Sequence, residues 1–260
     1  MMIKDKAIVY HRGRRNKEIH PEEYEISLDL NHKRIGIGMS GGMDSAMLLW
    51  LLAYHIDKNN LDVTIYIWSC ILDERPFQFH HAKKVVKFIK EYFPNVKFGE
   101  HVHKPTIAQD YIENGTKLSW ELCKKHKVTA LYNGVTVNPP KEYGETVWGK
   151  AWNKRAESRD WEVKHDWDSL AAEWVNDHME YLPFIHYDKR IVLAFYKKYG
   201  LFLEMGPLTR SCEGWAEESN YFQEECKRCW WCIEKRWATA MIWNHDPENA
   251  LMDYPGIYEP

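Results

Sequence analysis

No stretch of the chain offers the roughly 18 uninterrupted apolar residues that a spanning helix needs, which sets aside a helical membrane protein. Neither sign of charge dominates. With 35 basic and 38 acidic side chains the formal charge is -3, so no general field gathers nucleic acid or an anionic membrane, and a polyanion would have to be held locally. The segment from Met1 to Arg15 is charged where a signal peptide would be apolar, and the expectation is a cytoplasmic protein. No internal repeat or low-complexity linker interrupts the sequence. Cysteine is scarce outside one cluster: Cys70 and Cys123 stand alone, while Cys212, Cys226, Cys229 and Cys232 fall in the last fifth of the chain. In a reducing compartment such a cluster points to a metal before disulfides.

What is present is enough apolar residue, 45% of 260, to bury one large α/β domain with or without a small appendage. The chain divides into an N-terminal extension (1–33) carrying a short apolar run that could add an edge strand, a nucleotide-binding domain (34–205), and a C-terminal helical segment (206–260). Arg34 to Met39 reads as a buried strand, followed by a Ser/Gly turn and an apolar helix from about Ser45 to His55. Val63 to Trp68 repeats the strand and Pro76 to Tyr92 the helix. Val96 to Val102 gives a third strand, Leu118 to His126 a further helix, and Ala130 to Val135 a strand ending at Gly134. This alternation predicts a parallel, Rossmann-like sheet covered on both faces, with ligands at the carboxyl ends of its strands. Between about 138 and 180 the pattern breaks into charged, Trp-containing sequence, read as an insertion or lid. Asp188 then caps a helix that ends at Gly200. Many of the thirteen tryptophans lie between Trp148 and Trp243, and packing, substrate stacking or an interface would each account for them.

The string Ser40-Gly41-Gly42-Met43-Asp44-Ser45 sits where the first core strand turns into a helix. Glycines let backbone N–H groups approach a phosphate, the two serines add hydroxyl donors, and the helix N-terminus adds partial positive charge. Asp44 beside a polyphosphate makes sense if it holds Mg²⁺ directly or through water. A plain glycine turn capped by serines would need only part of this string. Three of the clustered thiols have successive C-x₂-C spacings, and Cys212 lies upstream; together they can close a tetrahedral Zn²⁺ site. Spacing alone does not name the metal, so an iron–sulfur cluster competes with zinc, and unliganded core thiols remain the bland alternative.

The loop resembles the SGGxDS signature of the PP-loop ATP pyrophosphatases and lacks the Gly-Lys-Ser/Thr end of a Walker loop. Taken with Asn133-Gly134-Val135, Leu182-Pro183, Asp188-Lys189, Thr209-Arg210-Ser211-Cys212, the C-x₂-C-x₂-C run and Arg236, roughly Arg34 to Ala238 is similar to the 7-cyano-7-deazaguanine synthase family. The resemblance implies ATP and Mg²⁺ at Ser40 to Ser45 and Gly134, with Asp44 and Lys189 serving the chemistry. It further implies Zn²⁺ on the four cysteines, a deazapurine-like carboxylate substrate, and ammonia or another amine as nucleophile. Two segments depart from the family. Gln109-Asp110-Tyr111-Ile112 replaces its Pro-Gly-Arg-Asn, and Asn138-Pro139-Pro140-Lys141-Glu142-Tyr143 with a longer Trp-rich insertion replaces its short substrate loop. Both segments contact substrate in the family, so a related deazapurine or a different amine is open.

Other residues have plainer readings beside the chemical one. Lys189 could neutralise charge on the α-phosphate or be a surface lysine in a first helical turn. Arg210 and Arg236 could grip phosphate or carboxylate. His80-His81 and His101-x-His103 lack a third metal ligand at a sensible spacing and are read as ordinary. Cys70 is read as a small core thiol rather than a nucleophile. Two rival functions stand beside the ligase: a sulfur-transfer PP-loop protein of the tRNA thiolase or phosphoadenylyl-sulfate reductase type with an iron–sulfur cluster, and a non-catalytic nucleotide-binding module. A homodimer, or a protein partner at the Trp-rich insertion, completes the expectations.

Overall fold

The computed structural model describes residues 1–12, 19–141, 156–160, 172–175, 177–221 and 223–243. Its centre is a six-stranded sheet of β3 (Arg34–Gly38), β4 (Thr64–Leu72), β5 (Lys97–Thr106), β6 (Ala130–Tyr132), β7 (Ala172–Val175) and β8 (His178–Tyr181), in the spatial order β5-β4-β3-β6-β8-β7. The first five in that order are parallel and β7 closes the edge antiparallel. Ile35 and Ile37 of β3 are completely buried, as a strand flanked on both sides and covered on both faces requires.

The chain winds outward from β3 through β4 to β5 and then returns to the other side of β3 at β6. The strand order therefore reverses between β3 and β6, and the crevice at the carboxyl ends of these two strands is where such sheets take ligands. Helix α1 (Met43–Lys58) follows β3 and is apolar nearly all round because it is covered on several sides; Leu48, Leu49, Leu51 and Leu52 are inaccessible. Helix α2 (Phe77–Tyr92) instead buries one stripe of Ala82, Val85, Val86 and Ile89, and α3 (Tyr111–His126) covers the opposite face of the sheet through Leu118 and Leu122, which pack on Trp68 and Leu131. Helices α4 (Lys189–Lys198) and α5 (Trp230–Trp243) join α1 in the main core, where Phe195, Tyr196 and Trp237 are fully buried.

Two expectations change. The N-terminal extension does not add an edge to the main sheet; β1 (Met2–Arg12) and β2 (Ile19–Asp29) form a separate two-stranded antiparallel sheet whose Ala7, Val9, Ile26 and Leu28 enter the main core. The region read as a lid from 138 to 180 contains β7 and the fifth parallel strand, β8, which pairs with β6 from Ala130↔Met179 to Tyr132↔Tyr181. Four residues, His-Met-Glu-Tyr, gave no apolar run to announce β8; its register is imposed by β6. The remainder of the expected lid, 142–155 and 161–171, lies outside the described residues, as does the end of the expected C-terminal segment, 244–260. No helix among the described residues is long and apolar enough to cross a membrane.

Candidate functional site

Gly42 occupies the N-cap of α1 with an extended backbone and no capping side chain, so the helix presents its N-terminal amides toward the crevice. The preceding turn needs glycine: Gly41 has φ of +81°, and a Cβ there would stand 2.5 Å from the carbonyl oxygen of Gln78. Ser40 Oγ accepts from the Gly42 amide at 3.3 Å and lies 3.2 Å from Ser45 Oγ. From the far side of the crevice Gly134 is pressed against the start of α1, where a Cβ would come within 2.8 Å of the Asp44 carbonyl carbon and the Ser45 nitrogen. A larger residue at 134 would displace the loop. All six loop residues and Gly134 thus meet at the point where the strand order reverses.

The segment Thr209-Arg210-Ser211-Cys212 closes the turn from outside. The Arg210 amide donates to Gly41 O at 2.7 Å, and Ser211 Oγ accepts from the Met43 amide at 3.4 Å. Arg210 stacks its guanidinium 4.8 Å over the Phe77 ring.

Lys189 is not the surface lysine that its place in a first helical turn allows. It is 1% exposed, and its ammonium donates to both carboxylate oxygens of Asp44, at 3.0 and 2.9 Å. Burial pushes its pKa down, but the Asp44 and Glu234 carboxylates more than offset this and hold it above the ordinary lysine value. Asp188, as expected, caps α4 through the Arg190 amide at 2.9 Å.

Two residues of this cluster escaped the sequence reading. Glu234 of α5 is completely inaccessible and accepts from Arg159 Nη2 at 2.8 Å. Arg159 also donates to Thr136 O at 2.7 Å and lies 4.7 Å from the Trp231 ring. Neither residue has a motif around it. Arg159 sits in the unpatterned Trp-rich region, and Glu234 looks like one more charge on a helix; the only available signal was its position two residues beyond Cys232.

Two cavities flank the loop. One, of about 530 Å³, is lined by Asp44, Lys189, Arg159, Arg210, Arg75 and Trp231; the other, of about 460 Å³, is lined by Gly38, Trp68, Cys70, Ser45 and Asn133. Ser40, Tyr111, Ile112, Gly134 and Val135 border both, so the two form adjoining halves of one trough. Tyr111 and Ile112 belong to the segment in which the sequence departs from the resembled family.

The four cysteines Cys212, Cys226, Cys229 and Cys232 converge, with their sulfurs all within 4.8 Å of one another. Four backbone amides donate to three of these sulfurs: Glu213 to Cys229, Gly214 and Cys226 to Cys212, and Cys229 to Cys226, at 3.2 to 3.4 Å. Such donors stabilise thiolates, and this group can hold a metal ion.

The remaining candidates take their plainer readings. Cys70 is buried, its thiol donates to Tyr111 O at 3.6 Å, and burial raises its pKa, the reverse of an activated nucleophile. His81 bonds Leu208 O at 2.8 Å, His103 stacks on Phe79, and His101 shares a 2.8 Å bond with Ser69 while burial pushes its pKa down to about 4. Arg236 is half-buried on α5 and does not line either cavity.

Comparison with known proteins places these features beside two enzymes. No family model and no curated protein sequence matches the chain. Among solved structures it is similar to the U34-tRNA thiolase NcsA from Methanococcus maripaludis with its 4Fe–4S cluster, at 16% identity and a TM-score of 0.42 over 66% of this chain and 58% of that one. It is also similar to the NAD+ synthetase from Burkholderia pseudomallei, at 10% identity and a TM-score of 0.36 over 85% of this chain and 79% of that one. The chain spans less than two thirds of the thiolase. The class is defined by the fold itself: an α/β protein with a parallel sheet, helices on both faces, a glycine loop at the strand-order reversal and a C-terminal four-cysteine knot.

Proposed function

We propose that the protein is a PP-loop ATP pyrophosphatase that adenylates a small-molecule carboxylate and passes the activated acyl group to an amine. The observation that carries this reading is the uncapped N-terminus of α1 behind Ser40-Gly41-Gly42, facing a trough whose walls include Asp44, Lys189 and Arg210. Backbone amides of the loop bind the β- and γ-phosphates, and Ser40 and Ser45 add hydroxyl contacts. The trough half lined by Trp68 and Asn133 takes the adenosine, and the half holding Lys189 and Arg159 takes the α-phosphate and the acceptor. Asp44 would hold Mg²⁺, which when bound offsets the charge of the triphosphate.

A carboxylate oxygen of the acceptor attacks the α-phosphorus, the bond to the β-phosphate oxygen breaks, and pyrophosphate leaves. The amine then attacks the acyl carbon and AMP departs with the bonding pair. Lys189 and Arg159 orient the two anions and neutralise charge that builds on the α-phosphoryl oxygens. The resemblance names 7-carboxy-7-deazaguanine or a relative as acceptor and ammonia as the simplest amine, which loses a proton to give the amide; a nitrile would take a second ATP, whose AMP carries off the amide oxygen as two further protons are lost. Trp231 offers a face for such a flat heterocycle.

The four cysteines would bind Zn²⁺, which pins the segment carrying Arg210 and Ser211 to the start of α5. Sulfurs around one tetrahedral ion with bonds of about 2.3 Å stand about 3.8 Å apart. The test is pyrophosphate release with 7-carboxy-7-deazaguanine, its relatives and no acceptor, with products read by mass spectrometry and bound metal by elemental analysis. Acceptor-dependent release from a colourless protein with one zinc is the expected result. A brown, iron-bearing protein whose release depends on tRNA would replace the ligase with the sulfur-transfer enzyme, and the absence of heat on adding Mg·ATP would overturn the nucleotide site altogether.

A further inference from the structure

Buried ionic side chains with no evident structural necessity are informative, and Glu234 is the most deeply buried of them. It lies in the first turns of α5, between two cations that come from distant parts of the chain. Its Oε1 meets Arg159 at 2.8 Å and its Oε2 stands 3.4 Å from the Lys189 ammonium. Lys189 in turn donates to both carboxylate oxygens of Asp44, which lies in the first turn of α1. The four side chains form a line, Arg159, Glu234, Lys189, Asp44, in which positive and negative alternate and the charges cancel.

The line has a use only if one member changes partner. In the nucleotide reading, on which this inference rests, Asp44 turns to the metal that accompanies ATP. Lys189 would then lose its bidentate partner while remaining buried, a costly state for an ammonium. Glu234 is the carboxylate left beside it. The same carboxylate helps to fix Arg159, whose Nη2 donates both to Glu234 Oε1 at 2.8 Å and to Thr136 Oγ1 at 2.6 Å, with the guanidinium 4.7 Å from the Trp231 ring.

We propose that Glu234 is a positioning residue: it keeps Lys189 aimed at the phosphates after Asp44 lets go, and it sets Arg159 at the acceptor half of the trough. It touches neither ATP nor acceptor and acts through the two cations.

The test measures Mg·ATP binding by calorimetry on the full chain, with metal content and melting recorded for each variant. Glu234→Gln is expected to weaken Mg·ATP by about tenfold, since one partner of a buried charge pair is removed, while metal content stays that of the parent. Glu234→Asp, which keeps the charge, recovers most of the affinity. The double variant Lys189→Met/Glu234→Gln loses clearly less than the sum of the two single losses, because Glu234 acts in part through Lys189. Wild-type affinity in Glu234→Gln, equal losses in the Gln and Asp variants, or additive losses in the double variant would each overturn the proposal. Should Glu234→Gln fail to fold, the pair Arg159→Met and Lys189→Met carries the test: their losses are expected to be non-additive through the shared carboxylate, and additivity overturns it. A parent protein that binds no Mg·ATP would instead defeat the nucleotide reading before any variant is compared.

Discussion

Two buried clusters of charge can be set side by side. At one end of the molecule Asp5 of β1, 5% exposed, takes hydrogen bonds from Tyr199 and Lys198 and faces His55 Nε2 at 2.8 Å. At the other, Asp44, Lys189, Glu234 and Arg159 line up beneath the phosphate loop. Both are built from carboxylates and the cations of neighbouring elements, which lower the pKa of Asp5 in the first and raise that of Lys189 in the second. They differ in what surrounds them. The Asp5 cluster is closed by the β1–β2 hairpin, α1 and α4 and borders none of the cavities that flank the loop; the Asp44 cluster forms the wall of a trough at the strand-order reversal, beside an uncapped helix end. Burial of charge therefore does not mark a site by itself. Adjacency to a cavity and to a helix N-terminus is what separates the second cluster from the first.

The comparison is broken most sharply at Asp44. Asp44→Ala is expected to lower pyrophosphate release by about a thousandfold, and also to lower the melting temperature because buried Lys189 loses its bidentate partner, so release is read well below that melting point; normal turnover would remove the metal role assigned to Asp44. Opening the four-cysteine knot tests stability instead. Cys229→Ser is expected to lose the metal and to lower melting by roughly 10 °C, read by elemental analysis and calorimetry, and unchanged melting with unchanged metal would leave the cysteines without a structural role.

At the remote cluster the effects are on folding alone. Asp5→Asn keeps the shape of the side chain but removes its charge, and is expected to cost about 2 kcal/mol in denaturant unfolding, with Mg·ATP affinity unaltered. The pH dependence follows from the sign of the shift. Burial opposes ionisation of Asp5, and the His55, Lys198 and Tyr199 contacts outweigh it, so its pKa is lowered from the ordinary 3.8. The folded state then binds this proton less readily than the unfolded chain, so the stabilisation is complete above about pH 4 and declines as the pH falls below it. Asp5→Asn should flatten that acid limb, and an identical acid limb in both proteins would assign the loss to other groups. Smallest is Tyr199→Phe, which removes one hydrogen bond to Asp5 and should cost about 1 kcal/mol. A loss of nucleotide affinity in either variant would erase the distinction between the two clusters.

Much of the region around the glycine loop was legible beforehand because its signals are local. Ile35 and Ile37 alternate with glycines in a strand, the Ser-Gly-Gly turn follows at once, and α1 is apolar from its first turn; each depends on neighbours within a few residues. The helix cap at Asp188 and the convergence of four thiols were equally local or carried by spacing. The hairpin, β8, Arg159 and Glu234 were not. The hairpin alternates charged and apolar residues in a way that fits a sheet edge as well as a separate ribbon, and only its packing on α1 and α4 decides between them. In β8 the strand state comes from pairing with β6.

The sequence by itself determined the order of strand, glycine loop and helix and the set of thiols that could share one ion, since backbone freedom and ligand spacing are properties of short segments. Only the tertiary structure decided that Lys189 is buried against Asp44, that Glu234 stands between it and Arg159, and that Asp5 spends its charge on holding the hairpin. The energy of a charged side chain depends on the dielectric and the partners around it, and for these residues the partners lie between 45 and 194 positions away.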